Sequence, residues 1–415
     1  MQAKKILIIC QYSQQPPYNT MLRYHNLGKC LVKKGYFVDI LTSSRVHNTD
    51  YNLISLLGNN CSIVDGVNYY YVATPSYHGN GIKRMLNMYL FCHSIKKFKK
   101  KYSPDCIIVC GAYLYAYARR AFKSVPIITD IVDLWPQSIV EYTNTSIHNP
   151  FIKHLYRIEK EAYIKTDALV FSMEGGIDYV KEQKYCSKVD FSKVFHINMG
   201  IDLTLHDKNL LSHNDSLPWL PDNFNIGYCG SIRRANNIKQ ICDAALELQK
   251  RGYKDIQFQI YGNGDELESL QKYCQDNSIC NIHFYGRIEK NKIPYILSRM
   301  KANILTYKQV DLMKYGGSQS KLFDYLAAGR PIICNAHFGY NLITRYDCGL
   351  ITQSQNSNAF VDTIEELYSM DSSRIEQMGK NARMTAKLYD LPLLVNKLET
   401  VLQFVENKKP PKERN

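Results

Sequence analysis

The chain has 415 residues, with 52 Lys and Arg against 38 Asp and Glu, a hydrophobic fraction of 45% and 13 cysteines. That length exceeds one ordinary core and suits two domains of about 200 residues each. The composition excludes disordered, collagen-like and membrane-spanning classes. The net charge of +14 gathers early, because residues 1–202 hold 25 Lys and Arg against 15 Asp and Glu. The cysteines are odd in number and form no C-x-x-C pair, so buried reduced thiols are expected rather than zinc ligands or disulfides.

In chain order, "KILIIC" at 5–10 reads as a first strand rather than a signal segment, because Gln11 interrupts the apolar run and no small-residue cleavage site follows. Residues 21–34 are helical and stop at Gly35, and "FVDILT" at 37–42 is a second strand. The stretch 83–101 mixes cations with Met, Leu, Tyr and Phe. It is either a surface for an anionic membrane or nucleic acid, or a solvated helix face beside a core stripe. "CIIVCG" at 106–111 and "PIITDIVD" at 126–133 are strands around a helix at 112–123, and short runs follow at 170–172 and 194–197. The polar, proline-bounded segment 204–223 reads as a linker.

After it the alternation restarts with "FNIGYCG", a helix at 237–250, "IQFQIYG", a helix at 265–274, "NIHFYG", a short helix near Pro294, and "ANILTY". Strands alternating with helices imply βαβ units and parallel sheets, with ligands at the carboxyl ends of the strands. The second half lacks the basic excess and interleaved aromatics that nonspecific nucleic-acid binding needs, so no nucleic-acid partner is expected.

The densest chemistry lies in "YGGSQSKLFDYLAAGRPII" at 315–333. Gly316 and Gly317 allow close approach of a ligand, Ser318 or Ser320 is expected to cap the following helix, and its free first-turn amides then face an anion. Lys321 adds a point charge there, and Asp324, about one turn on, is placed to accept from ribose hydroxyls. A solvated helix face in an ordinary α/β protein is the alternative reading of the same residues.

Together with "YCGSIRRANNIKQICDAALEL", "FQIYGNGDELESLQ", "IHFYGRI" and "FHINMGIDL", this segment resembles family 4 of the retaining glycosyltransferases. "IITDIVDLWPQSIVE" resembles the D-L-W-P segment of a subgroup acting in capsule and O-antigen polysaccharide assembly. The resemblance implies an α/β GT-B fold: two Rossmann-like domains with parallel sheets facing a cleft. It divides the chain into an acceptor-binding domain at 1–205, a linker at 206–222 and a nucleotide-sugar-binding domain at 223–388. A C-terminal helix at 389–405 would pack back on the first domain, before a disordered tail at 406–415.

The resemblance also implies roles for residues. Gly230 would lie against the donor diphosphate, and Arg233, with Arg234 beside it, would replace the family's Arg and Lys clamp, which this chain lacks. Gly262 and Gly264 would shape one wall of the donor site, and Gly286, Arg287 and Ile288 would frame the nucleobase. Gly317, Ser318, Ser320, Lys321 and Leu322 would line the phosphates, with Asp324 on the ribose. The first acid of the family's pair is absent, since Gly316 stands there. Asp133 would orient or deprotonate the acceptor hydroxyl, or else cap the turn before Trp135, and Asn19, Thr20 and Arg23 would contact the acceptor.

The implied activity is metal-independent transfer of a sugar from a nucleotide-diphosphate donor, with UDP favoured over GDP, to a lipid-linked glycan. It needs no cofactor beyond that donor and would operate in the cytoplasm, peripherally at the inner face of the cell membrane. A sugar-nucleotide 2-epimerase and a catalytically silent glycan-binding scaffold are the alternatives.

Overall fold

The computed structural model describes residues 4–19, 21–47, 49–79, 81–99, 102–213, 218–219, 222–317 and 319–408. The chain divides into two compact units, Met1–Asn198 with Leu391–Asn415, and Met199–Asp390.

The first unit is built on an eight-stranded sheet. Its strands are β1 (Lys5–Ile9), β2 (Phe37–Ser43), β3 (Cys61–Val64), β4 (Val67–Val72), β5 (Cys106–Cys110), β6 (Ile127–Ile131), β7 (Ala168–Phe171) and β8 (Val194–His196), ordered β3-β4-β2-β1-β5-β6-β7-β8. Only β3 runs antiparallel, paired to β4. Ile8 sits beside Ile40 on one side and Ile108 on the other. Such central strands are buried on both faces, so they read as continuous β-branched runs rather than as alternation.

The hairpin β3–β4 was not foreseen, although Asp65 and Gly66 between its strands both take positive φ (51° and 77°), as a two-residue hairpin turn requires. The helix Leu391–Asn407 belongs to this unit: Leu394, Val395, Leu398, Val401, Leu402 and Val405 join the core around Ile6, Ile8 and Ile40. Residues 406 and 407, expected in a disordered tail, continue that helix, and Lys408 pairs with Asp190 at 3.2 Å. Residues 409–415 lie outside the described residues.

The second unit carries β9 (Phe224–Cys229), β10 (Ile256–Tyr261), β11 (Ile282–Phe284), β12 (Ala302–Leu305), β13 (Ile332–Cys334) and β14 (Gly349–Ile351), all parallel, in the order β11-β10-β9-β12-β13-β14. Here the expected linker at 206–222 is corrected. Asp202 caps a helix, Leu203–Ser212, by accepting from the Leu205 amide at 3.0 Å. His206 on that helix is buried, its ring 3.0 Å from Asp207, which Arg383 pairs in turn. Trp219 is also buried, 6.0 Å and 6.2 Å from the rings of Tyr261 and Tyr285. Polarity and proline signalled a loop, but one cap and two buried rings tie the segment to the second core.

Candidate functional site

The site of the second unit gathers at the carboxyl ends of its central strands, where a parallel sheet leaves backbone groups for a ligand. After β9 the chain turns at Gly230, whose amide donates to the Tyr261 carbonyl at 2.9 Å. A Cβ at Gly230 would stand 2.7 Å from Cδ of Lys321 and 2.9 Å from the Tyr228 hydroxyl, so only glycine leaves room for the lysine stem. At Gly262 (φ +155°) a Cβ would fall 1.8 Å from the Gly230 carbonyl oxygen, and at Gly264 one would fall 2.0 Å from that of Ile232. These two glycines are therefore required by backbone packing between the loops after β9 and β10, before any ligand is considered.

Lys321 opens the helix Ser320–Ala327 and is half-buried. Its Nζ donates to the Tyr228 hydroxyl and to Asn236 Oδ1, both at 3.1 Å. It also lies 4.8 Å and 4.7 Å from the ring centroids of Tyr228 and Tyr307, within cation–π range. The acceptors are themselves held: Tyr228 donates to the Ser231 carbonyl at 2.8 Å, and Asn236 Nδ2 donates to the Ser231 carbonyl and hydroxyl, each at 2.8 Å. No carboxylate pairs with this ammonium among the described residues. Burial pushes its pKa down to about 7, because a charge removed from water without a counter-charge is disfavoured. The site thus presents an oriented, uncompensated cation beside a helix N-terminus, an arrangement that favours an anionic ligand.

Arg233 and Arg234 lie on the exposed loop beside Asn236, where neither guanidinium has an acidic partner among the described residues. The loop is tied down by the Lys308 amide, which donates to the Ala235 carbonyl at 3.0 Å. Below it Asn335 donates to Gln240 at 2.6 Å and accepts from the Tyr307 amide at 2.8 Å. Asp324 stands one turn past Lys321 and is half-buried. Burial raises its pKa, with the charges of Lys290 and His206 pulling the other way. Gly286 takes φ +70°, Arg287 is exposed and Ile288 packs at the edge of the core.

Several expectations change here. The helix is capped from Gln319, without a side-chain cap, and Ser320 is its first helical residue. Ser318 lies outside the described residues. A Cβ at Gly317 would meet the Gln319 amide at 2.1 Å, so that side chain folds over the glycine. Leu322 is buried in the core, which makes it a packing residue. Tyr228, Tyr307 and Asn236, the three side chains that orient Lys321, went unrecognised. The available signal was the missing Arg and Lys clamp of the resembled family, in the stretch 230–236 that contains Asn236.

In the first unit Asp133 follows β6, exposed, and accepts from the Ser138 hydroxyl at 3.2 Å. Arg23 is corrected. Its guanidinium donates to Asp130 at 2.8 Å and 3.2 Å, and to the carbonyls of Asn198 (2.8 Å) and Ile197 (2.9 Å). Both side chains are about 95% buried. Burial works against the Arg23 charge, and the Asp130 carboxylate outweighs it, so the pKa is raised. Arg23 is thus an internal brace rather than an acceptor contact. Asn19 is likewise committed to its own loop, donating to the Tyr12 carbonyl at 2.6 Å and to Gln14 at 3.0 Å and accepting from the Met21 amide at 3.0 Å. Thr20 lies outside the described residues.

The family profile described as "Glycosyl transferases group 1" matches residues 213–385, which contain every one of these donor-site groups. Those residues are similar to glycosyl transferases group 1. The matched stretch spans most of the second unit, and the fold of the whole chain has solved counterparts. Sucrose-phosphate synthase from Thermosynechococcus elongatus superposes with a TM-score of 0.77 at 15% identity, covering 98% of this chain and 100% of the other. WaaG, a glycosyltransferase involved in lipopolysaccharide biosynthesis, gives 0.66 at 14%, covering 95% and 99%. Anabaena HepE, solved in complex with UDP and glucose, gives 0.66 at 11%, covering 96% and 99%. These similarities establish a two-domain GT-B fold. No curated protein matches the chain by sequence.

Among the described residues, no group of three or more His, Cys, Asp or Glu side chains is placed to hold a metal ion. No helix there is long and apolar enough to cross a membrane.

Proposed function

We propose that the protein is a retaining glycosyltransferase that moves a sugar from a UDP-sugar to a lipid-linked glycan in surface polysaccharide assembly, at the inner face of the cell membrane. The observation that carries this reading is Lys321: an ammonium fixed by Tyr228 and Asn236, without a carboxylate partner, against the one glycine whose Cβ would displace it. The group 1 match over 213–385 and the UDP complexes of HepE support a nucleotide-sugar donor. WaaG's part in lipopolysaccharide biosynthesis supports a glycan acceptor.

In this reading the departing diphosphate is stabilised by Lys321, by Arg233 and Arg234, and by the first-turn amides of Ser320–Ala327, in place of a metal ion. Asp324 accepts from the ribose hydroxyls, while Gly286, Arg287 and Ile288 frame the base. The leaving phosphate takes the acceptor proton on the face from which it departs, and Asp133 orients the acceptor hydroxyl.

Calorimetric titration with UDP and with GDP, each with and without EDTA, tests the donor assignment. UDP is expected to bind in the micromolar range regardless of EDTA, and failure of both nucleotides to bind would favour a silent scaffold. Asp324→Ala is expected to weaken UDP binding by about tenfold or more, since hydrogen bonds to a charged group contribute about 1.5–3 kcal/mol, and to leave pyrophosphate binding unchanged. An equal loss for both ligands would remove Asp324 from the ribose. Gly230→Ala is expected to weaken both by about tenfold, because the added methyl displaces the lysine stem and crowds the buried Tyr228 hydroxyl. Unchanged affinity would separate Lys321 from the phosphates.

A further inference from the structure

The helix Ile82–Lys99 buries Asn87, Phe91, Cys92 and Ile95. At 100° per residue these four share one side. Ile82, Met85, Leu86, Tyr89 and Leu90 fall within an arc of about 140° on the opposite side. All five face solvent, with relative exposures of 84%, 48%, 48%, 55% and 39%. Lys96 and Lys97 continue the same outward face for its last turns, and both are exposed. The helix is therefore apolar on two faces, one buried and one exposed among the described residues. Exposed apolar surface of this continuity marks an interaction site.

Charge narrows the choice of partner. Residues 82–121 contain nine Lys and Arg and a single acid, Asp105, which is engaged with the Lys5 amide at 3.0 Å. The neighbouring helix Ala112–Ala121 adds exposed Arg120 and no acid. A second copy of the chain docked on this face would bring two lysine clusters together without a counter-charge. An anionic bilayer accepts the Ile, Met and Leu side chains among its acyl chains, the tyrosine at its polar boundary and the lysines at its headgroups.

We infer that the outward face of the helix Ile82–Lys99 is a docking surface for an anionic lipid bilayer, with Ile82, Leu86 and Leu90 as its apolar anchor and Lys96 and Lys97 as its electrostatic one. The inference deepens the reading of a membrane-located acceptor and rests on it for its purpose. Its test does not depend on transfer activity.

The full chain is centrifuged with vesicles of phosphatidylcholine alone and with vesicles containing roughly one-third phosphatidylglycerol, at low salt and at about 0.5 M salt. Binding is expected only to the anionic vesicles and only at low salt. The variant Lys96→Gln, Lys97→Gln is expected to lower vesicle affinity about 25-fold, at about fivefold per lysine. The variant Ile82→Ser, Leu86→Ser, Leu90→Ser is expected to lower it by at least as much.

All five positions are exposed, so an unchanged melting temperature verifies folding of both variants. Binding that survives both changes would overturn the inference, as would failure of the parent chain to bind. A concentration-dependent dimer that the serine variant dissociates, without vesicle binding, would assign the face to a second copy instead. Vesicle binding without UDP binding would leave the surface standing and remove the donor reading.

Discussion

Lys321→Met is expected to lower sugar transfer by about a hundred- to a thousandfold, the range found when one preorganised donor to developing negative charge is removed. The same lysine should make UDP binding pH-dependent. Burial holds its pKa near 7 in the free protein, and a bound diphosphate would raise it by supplying the missing counter-charge. Below pH 7 the free lysine is already charged, so binding takes up no proton and affinity is on its plateau. Above pH 7 binding must recruit a proton, and affinity falls by up to tenfold per pH unit until the pKa of the complex is reached.

Calorimetry at about pH 8.5 in buffers of different ionisation enthalpy should therefore register uptake of about one proton per UDP. Lys321→Arg should register none, because its guanidinium stays charged throughout. Persistent uptake in that variant would place the titrating group elsewhere. Folding is linked to the same proton. Between about 7 and the ordinary value of 10.5 the unfolded chain holds a proton that the folded chain lacks. The group therefore contributes increasing stability as pH rises through that window, and Lys321→Met should abolish the contribution.

Arg23→Met is expected to destabilise the first unit by about 3–5 kcal/mol, the cost of stranding one member of a buried ion pair. The change leaves the Asp130 carboxylate without its main counter-charge and removes two donors from the Ile197 and Asn198 carbonyls. Asp130→Leu added to Arg23→Met should recover much of the loss, since replacing both members by apolar groups removes the stranded charge. Denaturant unfolding of the two variants measures this directly. A contact to acceptor would behave in the opposite way, with the unfolding midpoint unchanged and turnover reduced.

The comparison of Arg23 with Lys321 shows what spacing can and cannot convey. Both were assigned to ligands, Lys321 from its place at the start of a helix after a glycine pair and Arg23 from the resemblance. Lys321 stands near aromatic rings, a tyrosine hydroxyl and one amide oxygen that orient it without neutralising it, whereas Arg23 meets Asp130, 107 residues away in sequence. No local pattern distinguishes the two cases, because the deciding partner arrives through the fold. The helix Ile82–Lys99 makes the same point about surfaces. Its composition allowed a core stripe or a docking face, and the structure has a buried stripe on one side and exposed apolar residues on the other.

The sequence alone determined the order and type of most strands and helices, the parallel character of both sheets and the glycine-rich turn that leads to Lys321. These follow from short-range causes: β-branched runs for doubly buried strands, 3.6-residue periodicity for helices, and glycine where backbones or a lysine stem must pass closely. Tertiary structure alone decided that 203–212 is a helix of the second unit rather than a linker, that Arg23 is braced by Asp130, and that Tyr228, Asn236 and Tyr307 hold the lysine. Each of these depends on burial and on partners brought together from distant parts of the chain, where the free energy of a charge or a polar group is set by what surrounds it rather than by its neighbours in sequence.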